Sequence, residues 1–139
     1  MNFVVDASFA LAWVLKDEAT AETDTLLDSL GQGSKAVVPA LWRWEIANAL
    51  LNVERRKRAT KAEVGTHLTL LRSFPIEIDE AAANQAWTAA HVLAQKHKLT
   101  SYDAAYLELA IRRGLPLASL DADLQAAAKA EKVKVFAGK

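Results

Sequence analysis

Four acidic side chains interrupt stretches of this sequence that are otherwise apolar, and they are the residues best suited to chemistry. They are Asp6, Glu45, Asp103 and Asp121. A carboxylate in apolar surroundings is costly unless it is paired, hydrogen-bonded or bound to a metal ion. The one basic residue close to any of them in sequence is Arg43. A shared divalent cation is therefore the most economical explanation.

A divalent cation would bring hydrolytic chemistry with it. Hard cations prefer oxygen ligands, and Mg²⁺ combines few protein ligands with several waters. Such an ion can activate a water, orient a phosphodiester and neutralise charge on the leaving oxygen. The chain has no cysteine, which excludes disulfides, iron–sulfur clusters and thiolate zinc sites.

The three aspartates also have purely structural explanations. Asp6 or Ser8 could cap the first helix, and Asp121 could cap its own helix. Asp103 falls in a first helical turn after Thr100, where a negative charge suits the helix dipole. Capping alone would account for each aspartate taken singly.

Glu45 is harder to explain by capping, because it lies inside a predicted helix. Its neighbours on a helical wheel mix amides and an arginine into a helix that is otherwise apolar. They are Trp42, Asn48, Ala49, Asn52 and Arg56. This face indicates the wall of a polar cleft. The alternative is an ion pair of Glu45 with Arg56 or Arg43 on a solvated face.

The elements that must position these side chains alternate between short β-like runs and longer helical runs. Strands are expected at 2–6, 36–38, 75–78, 115–120 and 132–136. Helices are expected at 8–16, 18–30, 40–58, 60–72, 79–98, 101–113 and 121–131. Thr60 with Glu63 predicts a capping box, and Asp79 is expected to cap the long helix at 79–98.

This alternation predicts an α/β fold in which helices flank a mostly parallel sheet. In such sheets a site lies beyond the carboxyl ends of the strands. Asp6 and Asp121 are expected at two of those ends, and Asp103 at a helix N-terminus facing the same edge. The length of 139 residues indicates a single domain over 1–139.

Composition limits the classes of partner. The chain has 17 basic and 17 acidic side chains, so a nucleic-acid binder would need a local basic patch. Candidate runs are 55–58, 96–98 and 112–113, although basic residues also suit helix C-termini. No apolar run is long enough to span a membrane, and we expect no signal peptide and a cytosolic location. The three histidines, His67, His91 and His97, are expected to lie outside the site.

Four sequence segments, taken in order, resemble a known family. They are Val4-Val5-Asp6-Ala7-Ser8, the segment from Pro39 through Glu45 to Asn48, Leu99-Thr100-Ser101-Tyr102-Asp103-Ala104-Ala105-Tyr106-Leu107, and Leu117-Ala118-Ser119-Leu120-Asp121. Together they are similar to the PIN domain, and most of all to VapC-type toxins of toxin–antitoxin pairs. The resemblance covers essentially the whole chain.

The resemblance implies a single PIN-like domain of α/β/α architecture that acts as a Mg²⁺- or Mn²⁺-dependent endoribonuclease. The catalytic quartet would be Asp6, Glu45, Asp103 and Asp121, with Asp6, Asp103 and Asp121 holding the metal ion. Supporting roles are expected for Ser8 and Asn48. Many relatives carry Thr at the position of Ser119, and Ser retains the hydroxyl of that Thr. Asp123 is a further candidate for the site.

The resemblance also implies partners: RNA, a VapB-like antitoxin that packs into a groove, and a second copy of the chain in a homodimer. The first helix is apolar on nearly all sides, which indicates either a core helix or a partner surface. We place Trp13, and Trp42 or Trp44, near such surfaces. RNA would be held mainly by Lys and Arg contacts to phosphates.

Two other functions remain open. Asp6 could act as the nucleophile of a phosphotransfer or phosphatase domain, but such enzymes usually carry a second Asp two residues later, where this chain has Ser8. A non-catalytic binding module with the same fold is the other alternative. The presence of all four acids argues against it.

Overall fold

The computed structural model describes residues 1–139 as a five-stranded sheet flanked by helices. The strands are β1 (Phe3–Val5), β2 (Ala36–Val38), β3 (Ile76–Ile78), β4 (Leu117–Ala118) and β5 (Val135–Phe136). The helices are α1 (Ala7–Leu11), α2 (Ala21–Leu30), α3 (Leu41–Arg55), α4 (Lys61–Ser73), α5 (Ala89–His97), α6 (Ser101–Arg113) and α7 (Ala122–Ala130). Two short 3₁₀ turns, Lys16–Glu18 and Ala82–Gln85, lie between them. The predicted α/β/α architecture is confirmed.

All neighbouring strands are parallel, in the order β3-β2-β1-β4-β5. The residues of β1, β2 and β4 are completely buried, because helices cover both faces of a parallel sheet. The predicted strands at 115–120 and 132–136 are much shorter than expected. In β4 and β5 only two residues of each strand pair with each other, Leu117 with Val135 and Ala118 with Phe136.

The first helix belongs to the core. α1 ends at Leu11 rather than at residue 16, and turns follow it. The Trp13 ring packs edge-on against Phe3, Phe9 and Phe74, and its indole N–H donates to the Thr23 carbonyl at 3.0 Å. The prediction that Trp13 lies at a partner surface is therefore wrong.

Asp79 does not cap a long helix. Its carboxylate is buried and accepts two hydrogen bonds from the Arg112 guanidinium, at 2.6 and 3.3 Å. With that side chain engaged by Arg112, the segment after β3 forms only the 3₁₀ turn, and α5 begins at Ala89. The Asp79 carboxylate therefore binds the Arg112 side chain, although the local sequence predicts that it caps a helix.

Basic side chains in two of the predicted runs form ion pairs within the chain. Arg112 and Arg113 contact Glu77, Asp79 and Glu108. In the run 96–98, Lys96 and His97 both contact Glu131. Such pairs attach the C-terminal ends of α5 and α6 to neighbouring elements. None of the helices has the length and apolar character that a membrane span requires.

Candidate active site

The four acidic residues come from four different elements and face the carboxyl edge of the sheet. Asp6 follows β1 and caps α1, and Asp121 caps α7 after β4. Asp103 lies in the first turn of α6, and Glu45 in the second turn of α3. The charges of Asp121, Asp6 and Glu45 all raise the pKa of Asp103, so the four side chains are electrostatically coupled.

Asp6 is the most buried of the four, with 4% of its surface exposed. Its Oδ1 accepts hydrogen bonds from the Ser8 hydroxyl at 2.7 Å and from the Phe9 N–H at 3.0 Å. Its Oδ2 accepts from the Ser119 hydroxyl at 2.5 Å. Burial raises the pKa of Asp6, the charge of Asp121 adds to this, and the three hydrogen bonds oppose it. Both oxygens are therefore fixed in orientation by the chain.

Two serine hydroxyls connect the ends of β1 and β4. Ser119 donates to Asp6 and also accepts the N–H of Asp121 at 3.0 Å. Ser8 donates to Asp6 and accepts the N–H of Leu120 at 3.1 Å. Asp121 in turn accepts the Leu124 N–H at 2.8 Å as the cap of α7. The capping and the functional interpretations of Asp6 and Asp121 are thus compatible. Each side chain caps a helix and also lies in the acidic cluster.

Glu45 is held by a buried tyrosine and not by an arginine. The Tyr106 hydroxyl donates to Glu45 Oε1 at 2.5 Å, and neither Arg43 nor Arg56 pairs with this carboxylate. Burial raises the pKa of Glu45, the charge of Asp6 adds to this, and the Tyr106 hydrogen bond opposes it. Burial raises the pKa of Tyr106 far above its usual range, so this hydroxyl remains a donor.

The Asp103 carboxyl has a raised pKa because it is partly buried among other acids. Burial, followed by the charges of Asp121, Asp6, Glu45 and Asp123, raises its pKa to about 6. No cation of the chain offsets this, since none of the ion pairs includes a residue of the quartet. Near neutral pH the cluster therefore carries negative charge that no positively charged side chain of the protein neutralises.

The donor chemistry of this cluster fits a hard divalent cation. All the side chains are carboxylates, and their mutual repulsion is the force that a bound cation would remove. In the described conformation, however, no three acidic or histidine side chains are grouped closely enough to hold a metal ion. The expected set of Asp6, Asp103 and Asp121 is thus not a preformed cage. A partly hydrated ion such as Mg²⁺ needs only one or two direct carboxylate ligands.

The remaining candidates differ in how they relate to the cluster. Asn48 is exposed and makes no hydrogen bond there, whereas Asp123 acts on Asp103 through its charge. His97 pairs with Glu131, away from the quartet. Sequence reasoning missed Tyr106, although its spacing of three residues from Asp103 places both on one face of α6.

Comparison with known proteins identifies the family. The family model of the PIN domain matches residues 3–130. Ribonuclease VapC3 of Pyrobaculum aerophilum is 31% identical over 124 residues, which span 89% of this chain and 92% of that protein. The crystal structure of PAE2754 from the same organism matches with a TM-score of 0.71 and 27% identity, covering 99% of this chain and 84% of that one.

Two further solved structures share the fold at lower identity. VapBC2 from Rickettsia felis, bound to a fragment of promoter DNA, matches with a TM-score of 0.67, 12% identity and coverage of 98% of both chains. FitAcB from Neisseria gonorrhoeae matches with a TM-score of 0.63 and 19% identity, covering 98% of this chain and 96% of that one. The resemblance stated from the sequence is confirmed, and the chain belongs to the PIN-domain family, with VapC-type proteins among its relatives.

Proposed function

We propose that this chain is a divalent-metal-dependent endoribonuclease and the toxin of a type II toxin–antitoxin pair. The observation that carries the proposal is the set of four coupled carboxylates without a cationic partner, at the carboxyl edge of a PIN-domain sheet. The relative named Ribonuclease VapC3, which aligns with nearly the whole chain, supports the reaction class. The catalytic domain would extend over residues 1–139.

The metal ion in this proposal is Mg²⁺ or Mn²⁺, held by Asp6, Asp103 and Asp121. When bound, it would supply Lewis-acid activation of water and neutralise charge on the scissile phosphate. The chain's own contribution is orientation. Ser8 and Ser119 fix the two oxygens of Asp6, so this carboxylate needs no reorganisation when it binds a cation.

Glu45 is the candidate proton acceptor. Tyr106 occupies its Oε1, and no hydrogen bond of the chain occupies its Oε2. A raised pKa brings a carboxylate closer to the value that general-base catalysis favours near neutral pH. Glu45 Oε2 would take the proton of the attacking water, while Tyr106 holds the carboxylate in place.

RNA would be bound mainly through its phosphates. Within the run 55–58, Arg58 pairs with Asp17 and Glu18, whereas Arg55, Arg56 and Lys57 make no ion pair. These three exposed side chains at the C-terminal end of α3 are therefore available for phosphate contacts. We expect the protein to act in the cytosol, where RNA is accessible to it.

The proposed protein partners are a VapB-like antitoxin and a second copy of the chain. The name of the structural neighbour VapBC2, which shares the fold of this chain, supports the first. Large apolar side chains that are exposed to solvent support the presence of a protein-binding surface. Trp44 is 79% exposed and Trp87 is 93% exposed, and tryptophan is enriched among the residues that contribute most of the binding energy at protein interfaces.

The phosphotransfer alternative is not favoured by any observation. Ser8 occupies the position where such enzymes usually carry their second aspartate.

Induced expression in a host cell tests the toxin proposal. The parent protein should arrest growth and generate new RNA 5′ ends at defined sites, which sequencing of RNA ends would locate. The Asp6→Ala variant, expressed to the same level, should do neither. Growth arrest by both proteins, without new RNA ends, would exclude a nuclease as the cause.

A further inference from the structure

A largely buried network of charged side chains joins α6 to the end of β3. The Arg112 guanidinium donates to both oxygens of Asp79, at 2.6 and 3.3 Å, and to both oxygens of Glu108, at 2.8 and 3.1 Å. The two carboxylates are buried, and Arg113 completes the network with contacts to Glu77 and Asp79. All three side-chain nitrogens of Arg112 are therefore engaged within the chain.

The α6 part of the network belongs to the helix that supplies two groups of the acidic site. Asp103 lies in the first turn of α6, and Tyr106 donates to Glu45 from the second turn. Glu108 follows Tyr106 by two residues. Since an α-helix rises about 1.5 Å per residue, Arg112 lies about 14 Å along α6 from Asp103. A slide or rotation of α6 at the network would therefore displace both groups.

The Asp79 part of the network lies close to the start of the helix that carries Glu45. The Asp79 N–H donates to the carbonyl of Val38, the last residue of β2, at 2.8 Å. α3 begins three residues after Val38. α3 and α6 are therefore joined twice, directly by the Tyr106–Glu45 hydrogen bond and indirectly through Asp79 and Arg112.

A buried charged network of this kind is better suited to fixing a position than to stabilising the fold. Burial of charged groups costs solvation free energy, and well-packed apolar side chains in their place are often equally stabilising. Apolar contacts have no direction, whereas the hydrogen bonds between a guanidinium and a carboxylate have a defined geometry. The buried face of α6 is otherwise mostly apolar, with Ala104, Leu107, Leu109 and Ala110. The network is therefore the directional contact at the C-terminal end of this helix.

We propose that Arg112 is a positioning residue for the acidic site. Through its two carboxylate partners it fixes α6 so that Asp103 can bind the divalent cation and Tyr106 reaches Glu45. The consequences for metal binding and cleavage rest on the proposed nuclease function. The consequence for the contact between Tyr106 and Glu45 requires neither a metal ion nor RNA.

Arg112→Lys tests the proposal with the intact protein. Lysine retains the positive charge but cannot make the paired hydrogen bonds of a guanidinium. We expect the apparent affinity for Mn²⁺, measured by titration without RNA, to fall about tenfold. The ¹³Cζ resonance of Tyr106, which responds to hydrogen bonding of the hydroxyl, should shift in the metal-free protein. In cleavage assays kcat should fall more than KM rises.

The triple variant Asp79→Leu/Glu108→Leu/Arg112→Met separates positioning from stability. It replaces the network with apolar side chains, so its free energy of unfolding should stay close to that of the parent. Its Mn²⁺ affinity and its Tyr106 resonance should nevertheless change as they do in Arg112→Lys. If the triple variant does not fold, Arg112→Lys still decides the question.

Arg58→Met is the matched control, because Arg58 also pairs with two acids, Asp17 and Glu18, outside the network. It should keep the Mn²⁺ affinity, the Tyr106 resonance and the cleavage kinetics of the parent. Equal changes in this control would mean that loss of any ion pair disturbs the site, and would contradict a specific role of Arg112.

Two further results would overturn the proposal. One is an unchanged Mn²⁺ affinity or an unchanged Tyr106 resonance in Arg112→Lys. The other is a higher KM for RNA with unchanged Mn²⁺ affinity, which would make Arg112 a contact for RNA instead. If the parent does not cleave RNA, the proposed nuclease fails, while the Tyr106 resonance of the metal-free protein still tests the positioning.

Discussion

The hydroxyl of Ser119 donates a 2.5 Å hydrogen bond to Oδ2 of Asp6 across 113 positions of sequence. The same oxygen of Ser119 accepts the N–H of Asp121 at 3.0 Å. One buried hydroxyl therefore joins the end of β1 to the start of α7 and aligns two of the four acids. A site assembled from separate elements depends on such links, because a small displacement of one carboxylate weakens its binding of a cation.

Replacing Ser119 with Ala should impair both stability and activity. The change removes the buried donor to Asp6 and leaves the N–H of Asp121 without its acceptor. Loss of a buried partner typically costs about 1–3 kcal/mol of the free energy of unfolding. Denaturant unfolding would measure the cost, and cleavage assays at several Mn²⁺ concentrations should reveal weaker apparent metal affinity.

Ser119→Thr is the matched control, because it retains the hydroxyl. We expect it to recover most of the metal affinity, even if the additional methyl group lowers stability at this fully buried position. Equal metal affinity in the Ala and Thr variants would mean that the hydroxyl does not position Asp6.

Tyr106→Phe isolates the hydrogen bond to Glu45. That bond stabilises the ionised carboxylate, so its loss should raise the pKa of Glu45 further. If Glu45 must be ionised to accept a proton, the acidic limb of the pH–rate profile should move to higher pH, and kcat should fall more than KM rises. An unchanged profile would argue against Glu45 as the base.

Asp103→Asn should stabilise the metal-free protein at neutral pH. Because the folded pKa of about 6 lies above the usual 3.8, the native state binds the proton more tightly than the unfolded state. The parent's stability therefore falls as pH rises from about 4 to 6, and the full penalty applies above 6. After allowance for solvent screening, we expect a gain of about 1–2 kcal/mol at pH 7.

Thermal unfolding of parent and variant from pH 3.5 to 7.5 would test this sign. The two curves should converge below pH 4, where Asp103 is protonated in both states of the parent. A variant that is less stable than the parent at pH 7 without metal would show that Asp103 gains more from its surroundings than it loses by repulsion.

Mn²⁺ or Mg²⁺ should raise the melting temperature of the parent. A ligand that binds only the native state stabilises it by about 2.7 kcal/mol at a concentration a hundredfold above Kd. The shift should shrink below pH 6, where a proton competes for Asp103. Asp103→Asn should lose most of the shift, whereas Asp28→Asn, at an exposed site outside the cluster, should retain it.

The sequence predicted the parts of the site that depend on local patterns. Asp6 and Asp121 follow buried strands and cap the next helices, as the alternation of apolar runs and capping residues indicated. The capping box of Thr60 and Glu63 formed for the same reason. These features depend on residues a few positions apart, whose preferences tertiary contacts did not change.

The errors arose where distant residues determine the outcome. Asp79 was predicted to cap a helix, but its carboxylate accepts hydrogen bonds from Arg112, which lies 33 residues later in the sequence. For Glu45 the sequence suggested Arg43 or Arg56 as a partner, because its donor in the structure, Tyr106, is 61 residues away. Trp13 was assigned to a surface because helical periodicity alone cannot distinguish a core helix from one that contacts a partner. Pairings of this kind follow from the three-dimensional packing.

The most direct test of the central claim is cleavage of RNA by purified protein, with and without a divalent cation. The parent should cleave single-stranded RNA with Mn²⁺ or Mg²⁺ and stop when EDTA is added. Asp6→Ala and Asp103→Asn should be inactive under both conditions, and Asp28→Asn should cleave as the parent does. Cleavage that persists in EDTA, or in both site variants, would contradict a metal-dependent site built from these carboxylates.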